Sequence, residues 1–168
     1  SVSDAVRIAR DLLDALAYAH EHNIVHRDVK PDNIVLSANG AMLLDFGIAR
    51  VIEGSGDEKL TRSGFTVGTS SYMSPEQVIA VRDLDHRSDL YSLGCVLFEA
   101  LAGRPPFVHR SEAVVLQLQQ TAEAPLLAEL RPELPPELAG AVQRALAKDR
   151  EQRWSSALEM RAQLDRLA

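Results

Sequence analysis

The 168-residue chain has a single cysteine, no run of Lys and Arg, and no long apolar stretch. One thiol cannot form an internal disulfide, so Cys95, which lies in an apolar run, is predicted to be a buried structural residue rather than a nucleophile. With a formal net charge of -6, neither nucleic acid nor an anionic membrane is an expected partner. No segment reaches the roughly 18 apolar residues of a membrane span. We expect a reducing, cytoplasmic location.

The composition, 46% hydrophobic and 25% charged, is that of a globular domain with one core. Apolar residues at three- and four-residue steps predict an amphipathic helix over 3–22, started by Ser1 with Asp4. The segment 88–102 is apolar nearly all round, which predicts a helix buried in the middle of the domain. Further helices are predicted over 111–121, 136–147 and 156–167. The expected fold class is mainly α, with one short β-hairpin.

That hairpin is predicted from two short apolar runs, 34–36 and 42–44, with Asn39-Gly40 as the turn. Asn33 precedes the first strand and Asp45 follows the second, so strand pairing would bring these two side chains close together. Residues 48–71 are rich in Gly, Ser and Thr and have no sustained period, which predicts a long loop.

Two short sequence runs contain candidate catalytic and metal-binding residues: HRDVKPDN at 26–33 and DFG at 45–47. A carboxylate at Asp28 could accept a proton from a hydroxyl, and Lys30 has the compact charge that suits a phosphate oxygen. Asn33 and Asp45 offer the hard oxygen ligands that Mg²⁺ prefers. Each residue alone is commonly a turn or surface residue, but together they suggest a phosphoryl-transfer site.

In this order, with Asn33 and Asp45 twelve residues apart, the two runs resemble the catalytic-loop and magnesium-loop signatures of protein kinases. The chain resembles the eukaryotic-like serine/threonine protein kinase family, in particular its bacterial branch. The resemblance implies that Asp28 is the catalytic base and that Lys30 stabilises the transferred phosphate. It further implies that Asn33 and Asp45 bind Mg²⁺, and that His26 packs and hydrogen-bonds within the loop.

The segment 68–76 resembles the end of the family's activation segment, with Ser74-Pro75-Glu76 in place of the usual Ala-Pro-Glu. The resemblance implies that Thr69 hydrogen-bonds the base and Lys30, and that Glu76 forms a structural ion pair with Arg153. It also implies that Asp89 accepts hydrogen bonds from the backbone of the catalytic loop. The alternative for Asp89 is an ordinary acidic residue at a helix N-terminus.

Arg27, beside the base, has a regulatory interpretation. A guanidinium there could pair with a phosphate on the 48–71 loop and order it. Thr61 and Ser63 best match the family's phosphorylation sites, and Thr66 is a third acceptor. The alternative is that these are merely polar loop residues.

The resemblance covers residues 1–168 but only the C-terminal lobe of the kinase fold. The glycine-rich run, the strand lysine and the helix glutamate of the N-terminal lobe are not found. We expect a kinase fragment that transfers the γ-phosphate of ATP to Ser and Thr of a protein substrate. Its partners would be ATP, Mg²⁺ and the missing N-terminal lobe, without which it would be inactive. The alternative is a catalytically inactive scaffold or binding module, against which the intact Asp28, Lys30, Asn33 and Asp45 argue.

Overall fold

Helices account for most of the computed structural model, which describes residues 1–46 and 69–167. The helices are α1 (Val2–Glu21), α2 (Pro75–Val78), α3 (Arg87–Ala102), α4 (Glu112–Thr121), α5 (Leu127–Leu130), α6 (Pro136–Ala145) and α7 (Ala157–Asp165). Two antiparallel strands are present, β1 (Ile34–Ser37) and β2 (Gly40–Leu43), together with 3-10 turns at Pro31–Asn33, Thr69–Tyr72 and Arg150–Gln152. The predicted mainly α class with one hairpin is confirmed.

α1 begins where the sequence predicts. The Ser1 hydroxyl accepts from the N–H of Asp4, and the Asp4 side chain accepts from the backbone of Ser1, so the capping box is complete. The buried face of α1 packs on α3, α7 and β2. Asn23, just beyond the end of the helix, has a φ of 59°, a left-handed conformation that Asn tolerates. α1 therefore ends immediately before the segment that carries the catalytic-loop motif.

α3 lies in the middle of the core, as its all-round apolar pattern predicts. It packs closely on α6 at Gly94, where an added Cβ would lie 2.9 Å from the Cβ of Ala145 and 3.2 Å from a methyl of Leu146. The helix ends at Gly103, whose φ is 79°. Cys95 of this helix is buried and free, and burial raises the pKa of its thiol to about 12.

The hairpin forms, but its turn lies one residue earlier than predicted. Ser37 pairs with Gly40, so Ala38 and Asn39 occupy the turn and Gly40 belongs to β2. The Ser37 hydroxyl closes this turn locally, since it donates to the carbonyl of Gly40 at 3.0 Å and accepts from the N–H of Asn39 at 3.2 Å. A tertiary contact lies beside it: the carboxylate of Asp11 on α1 accepts from the N–H of Ala41 at 2.9 Å. A Cβ on Gly40 would lie 2.8 Å from that carboxylate, and the φ of Gly40 is 122°. Only glycine suits this place.

The remaining predictions have mixed outcomes. The helices predicted over 111–121, 136–147 and 156–167 are present, with ends within two residues of the prediction. The short helices α2 and α5 and the 3-10 turns were not predicted. Of the predicted loop, residues 48–68 lie outside the described residues, and Thr69–Tyr72 forms a 3-10 turn rather than open loop.

None of the helices in the described ranges is long and apolar enough to cross a membrane.

Candidate active site

The segment 24–33, which is the predicted catalytic loop, lies between α1 and β1, and Asp89 at the start of α3 holds its backbone. The Asp89 carboxylate, only 1% exposed, accepts from the N–H of His26 and from the N–H of Arg27, both at 2.8 Å. Arg27 has a φ of 67°, an uncommon conformation for a residue with a side chain. The contact expected of Asp89 is therefore present, and it fixes the backbone directly before Asp28.

His26 joins the loop to the end of the hairpin. Its Nε2 lies 2.8 Å from the carbonyl of Leu44, to which it donates, and its Nδ1 accepts from the N–H of Asp28 at 3.2 Å. Its ring meets Phe46 edge-on, with centroids 4.7 Å apart. His26 thus packs and hydrogen-bonds between the two motifs.

Two donors orient the carboxylate of Asp28. Lys30 Nζ lies 3.0 Å from Asp28 Oδ2, and the side-chain amide of Asn33 donates to the same oxygen at 3.0 Å. Asn33 also donates to the backbone carbonyl of Asp28 at 2.8 Å. Asp28 remains partly exposed, whereas Lys30 and Asn33 are buried. A carboxylate held in this way is pre-oriented for a proton transfer at its exposed side.

Asn33 and Asp45 lie at the same end of the hairpin. The N–H of Leu44 donates to the carbonyl of Asn33 at 2.8 Å, which extends the ladder beyond the pair of Ile34 and Leu43. Asp45 follows with a φ of 53°. Because the amide nitrogen of Asn33 bonds to Asp28, its Oδ1 is the atom left for a cation.

This pair of donors, an amide oxygen and a carboxylate, fits Mg²⁺. Within residues 1–46 and 69–167, no cluster of three or more His, Cys, Asp and Glu could hold a metal ion alone. Mg²⁺ usually needs no such cluster, since it shares its shell with waters and substrate phosphates.

The segment after residue 68 is fastened to the core beside the loop. Tyr72 donates to Glu99 of α3 at 2.6 Å, and burial together with this hydrogen bond raises the pKa of Tyr72 above its usual value. Ser74 caps α2 in a capping box with Gln77. The Gln77 amide also donates to the carbonyl of Arg27 at 2.7 Å.

Glu76 and Arg153 form the expected pair. Two bonds join their side chains, at 2.6 and 2.9 Å, and the Arg153 side chain is fully buried. Burial opposes ionisation of Glu76, but the hydrogen bonds and charge of Arg153 outweigh it and hold the pKa of Glu76 below its usual value. The Ser88 hydroxyl donates to the same carboxylate at 3.1 Å.

Several contacts at the site were not predicted. His20 Nε2 lies 2.8 Å from Asp89 Oδ2, which makes it a second support of that carboxylate. Gln119 of α4 donates to the carbonyls of Ser70 and Ser71 and accepts from Tyr91. Lys148 donates to Tyr91 at 2.9 Å, and burial lowers its pKa to about 8. The one sequence signal for these contacts was the presence of polar residues at helix positions that face the core, because a buried polar side chain needs a hydrogen-bond partner.

Gly47 and the proposed phosphorylation sites Thr61, Ser63 and Thr66 lie outside the described residues. The same holds for the side chain of Thr69, whose backbone begins a 3-10 turn.

Comparison with known proteins gives the family. The chain matches the model of the protein kinase domain over residues 1–164, and it belongs to that family. It is 44% identical to the serine/threonine-protein kinase PknB of Mycolicibacterium smegmatis over 165 residues. These residues cover 97% of this chain and 26% of that protein. It is 45% identical over 165 residues to PknB of Mycobacterium tuberculosis, with the same coverage. A probable serine/threonine-protein kinase of Streptomyces coelicolor is 43% identical over 155 residues, 92% of this chain and 23% of that protein.

The chain thus spans about a quarter of the length of the curated relatives that it matches. The fold and the family are those that the two motifs indicate.

Proposed function

We propose that this chain is the C-terminal lobe of a serine/threonine protein kinase, which transfers the γ-phosphate of ATP to Ser and Thr hydroxyls of proteins. The observation that carries the proposal is the Asp28 carboxylate held by Lys30 and Asn33, beside the hairpin end that bears Asp45. The names of the relatives, serine/threonine-protein kinases, support the same reaction.

In this reaction the acceptor hydroxyl oxygen bonds to the γ-phosphorus, the bond from that phosphorus to the bridging oxygen of ADP breaks, and the hydroxyl proton passes to Asp28. Oδ2 is occupied by two donors, so we assign Oδ1 to receive the proton. The ammonium of Lys30 lies beside this carboxylate, 3.0 Å from Asp28 Oδ2. There it would offset negative charge on the phosphoryl oxygens. Asn33 and Asp45 would hold Mg²⁺, which when bound neutralises phosphate charge.

The supporting residues have structural roles in this proposal. Asp89 and His26 hold the catalytic loop, and the pair of Glu76 and Arg153 fixes the end of the activation segment. Thr69 would contact the base and Lys30 and help select the acceptor.

Regulation would act through Arg27. Its Nε is buried without a hydrogen-bond partner in the described part of the chain, a state that a phosphate could relieve. We propose Thr61 and Ser63 as the phosphorylated residues. Phosphate mapping of the active protein by mass spectrometry tests this, and an active protein unmodified at both residues would refute it.

ATP would be covered by a second lobe with a glycine-rich loop and a phosphate-binding lysine, as in the family. We propose that this N-terminal lobe is required, and that the 168 residues alone transfer no phosphate. A cytoplasmic location is proposed because ATP is the donor and the single thiol, Cys95, is free.

Transfer of labelled γ-phosphate from ATP to casein by the full-length gene product tests the reaction. Asp28→Asn should lower kcat by about 100-fold or more, since it removes the base. Asp32→Asn is the matched control, because Asp32 is an exposed carboxylate of the same loop, and we expect the wild-type rate from it. Phosphoamino-acid analysis should detect phosphoserine and phosphothreonine. An Asp28→Asn variant as fast as wild type would refute the proposal.

A further inference from the structure

One side chain links the activation-segment end to the catalytic loop. Gln77, in the last turn of the short helix α2, donates from Nε2 to the backbone carbonyl of Arg27 at 2.7 Å. The two residues are fifty positions apart in sequence. Gln77 also lines a small cavity that it shares with Asp28, Tyr72 and Met73.

The contact falls on a backbone that needs support. Arg27 has a φ of 67°, a conformation that is unfavourable for a residue with a Cβ and persists only when its surroundings hold it. Asp89 holds the N–H side of Arg27 at 2.8 Å, and Gln77 holds the carbonyl side. The next residue is Asp28, so the geometry of Arg27 sets the direction in which the Asp28 side chain leaves the loop.

The two ends of the Gln77 amide have separate tasks. Its Oε1 accepts from the N–H of Ser74 at 3.0 Å, which completes the capping box of α2. Its Nε2 makes the bond to Arg27. A glutamate at this place could accept from Ser74 in the same way, since Ser-x-x-Glu is itself a capping box. A glutamate could not donate to a carbonyl, so only the amide serves both ends.

We propose that Gln77 is a positioning residue for the reaction: it fixes the Asp28 base through the Arg27 carbonyl and couples that base to the segment that holds the acceptor. This inference rests on the proposed kinase function and deepens it. It predicts that loss of the Nε2 donor slows the chemical step even where α2 stays capped.

Two variants of the full-length protein separate these tasks. Gln77→Glu keeps the cap and removes the donor, whereas Gln77→Met is uncharged and removes both. We expect kcat to fall about tenfold or more in each, because a displacement of about 1 Å at a reacting group can cost 100-fold. The KM for ATP should stay near wild type, since Asp28 acts on the acceptor hydroxyl. Melting temperature should fall more for Gln77→Met, which loses the cap.

A control variant makes the same chemical change elsewhere. This control is Gln163→Glu. Gln163 belongs to α7, which packs on α1 and α6, so the variant should keep the wild-type kcat. Hydrogen exchange gives a readout independent of turnover. In Gln77→Glu, amides of residues 24–30 should exchange faster than in wild type, while those of residues 74–81 should not change.

The outcomes separate cleanly. A fall of kcat in both variants, with faster exchange in the loop, supports the inference. A fall in Gln77→Glu alone would assign the effect to the new charge, and a fall in Gln77→Met alone would assign it to the lost cap; either overturns the inference, as does wild-type kcat in both. If Asp28→Asn is inactive while both Gln77 variants match wild type, only the inference fails. If Asp28→Asn is fully active, the proposed function fails and the inference falls with it.

Discussion

Removal of the Arg153 side chain is expected to destabilise the fold strongly. Arg153 is 2% exposed, and its side chain makes five hydrogen bonds to described residues, two of them to Glu76 at 2.6 and 2.9 Å. The other three end on the backbone carbonyls of Ala147, Lys148 and Arg87. Arg153→Ala would leave the Glu76 carboxylate, itself 8% exposed, without its cation.

The cost can be estimated from these contacts. Removal of one partner of a buried ion pair costs about 3–5 kcal/mol, because the other charge stays buried and unpaired. The total stability of a domain is about 5–15 kcal/mol, so this one substitution removes a large share of it. For a domain of this size, each kcal/mol lowers Tm by about 2–4 °C, which gives an expected fall of about 6–20 °C.

Thermal unfolding followed by circular dichroism measures the effect. Arg166→Ala is the control, since Arg166 is exposed at the end of α7. The free energy of unfolding of this variant should differ from that of wild type by no more than about 0.5 kcal/mol. The double variant Glu76→Gln with Arg153→Met should lose less than Arg153→Ala, because no unpaired charge stays buried. An Arg153→Ala protein that melts within about a degree of wild type would refute the reasoning.

Two further predictions concern the core. Burial lowers the pKa of Lys148 to about 8, so between that pH and its ordinary pKa of 10.5 it binds fewer protons in the folded than in the unfolded protein. The free energy of unfolding should therefore rise with pH across this window in comparison with Lys148→Met. Urea unfolding at a series of pH values measures this, and parallel pH profiles for the two proteins would contradict the prediction. Gly94→Ala should destabilise, since its Cβ would meet Ala145 at 2.9 Å, whereas Gly140→Ala, with open space around it, should stabilise by about 0.5–1 kcal/mol. Equal melting temperatures for these two alanine variants would count against the close packing of α3 on α6.

The helices could be predicted because their signals are local. The three- and four-residue periodicity of α1, the capping box of Ser1 and Asp4, and the stop at Gly103 all lie within one or two turns of the chain. The two motifs could be recognised for a similar reason, since each is a short run of consecutive residues. The apolar runs between them, with Asn39-Gly40 as a turn signal, predict a hairpin with Asn33 and Asp45 at its open end. These features needed no knowledge of the tertiary fold.

The unpredicted contacts join distant parts of the chain. Beside the turn at Ala38 and Asn39, the carboxylate of Asp11, thirty residues before Ala41, accepts from the N–H of Ala41. The bonds that His20 and Gln77 make to the site also join distant parts of the chain. The sequence around a polar residue on a helix does not indicate which distant group will be its hydrogen-bond partner. Tertiary hydrogen bonds of this kind therefore cannot be predicted from sequence spacing.

These long-range contacts explain why the catalytic loop keeps an unfavourable backbone. Arg27 gains nothing from its own conformation, and the loop around it has no helix or strand ladder to impose one. Its geometry is set from α1 through His20, from α3 through Asp89, and from α2 through Gln77. Because α2 is in turn fixed by the pair of Glu76 and Arg153, damage at Arg153 should reach Asp28 as well as the fold. A partly destabilised Arg153→Lys variant should thus lose kcat while it is still folded at the assay temperature.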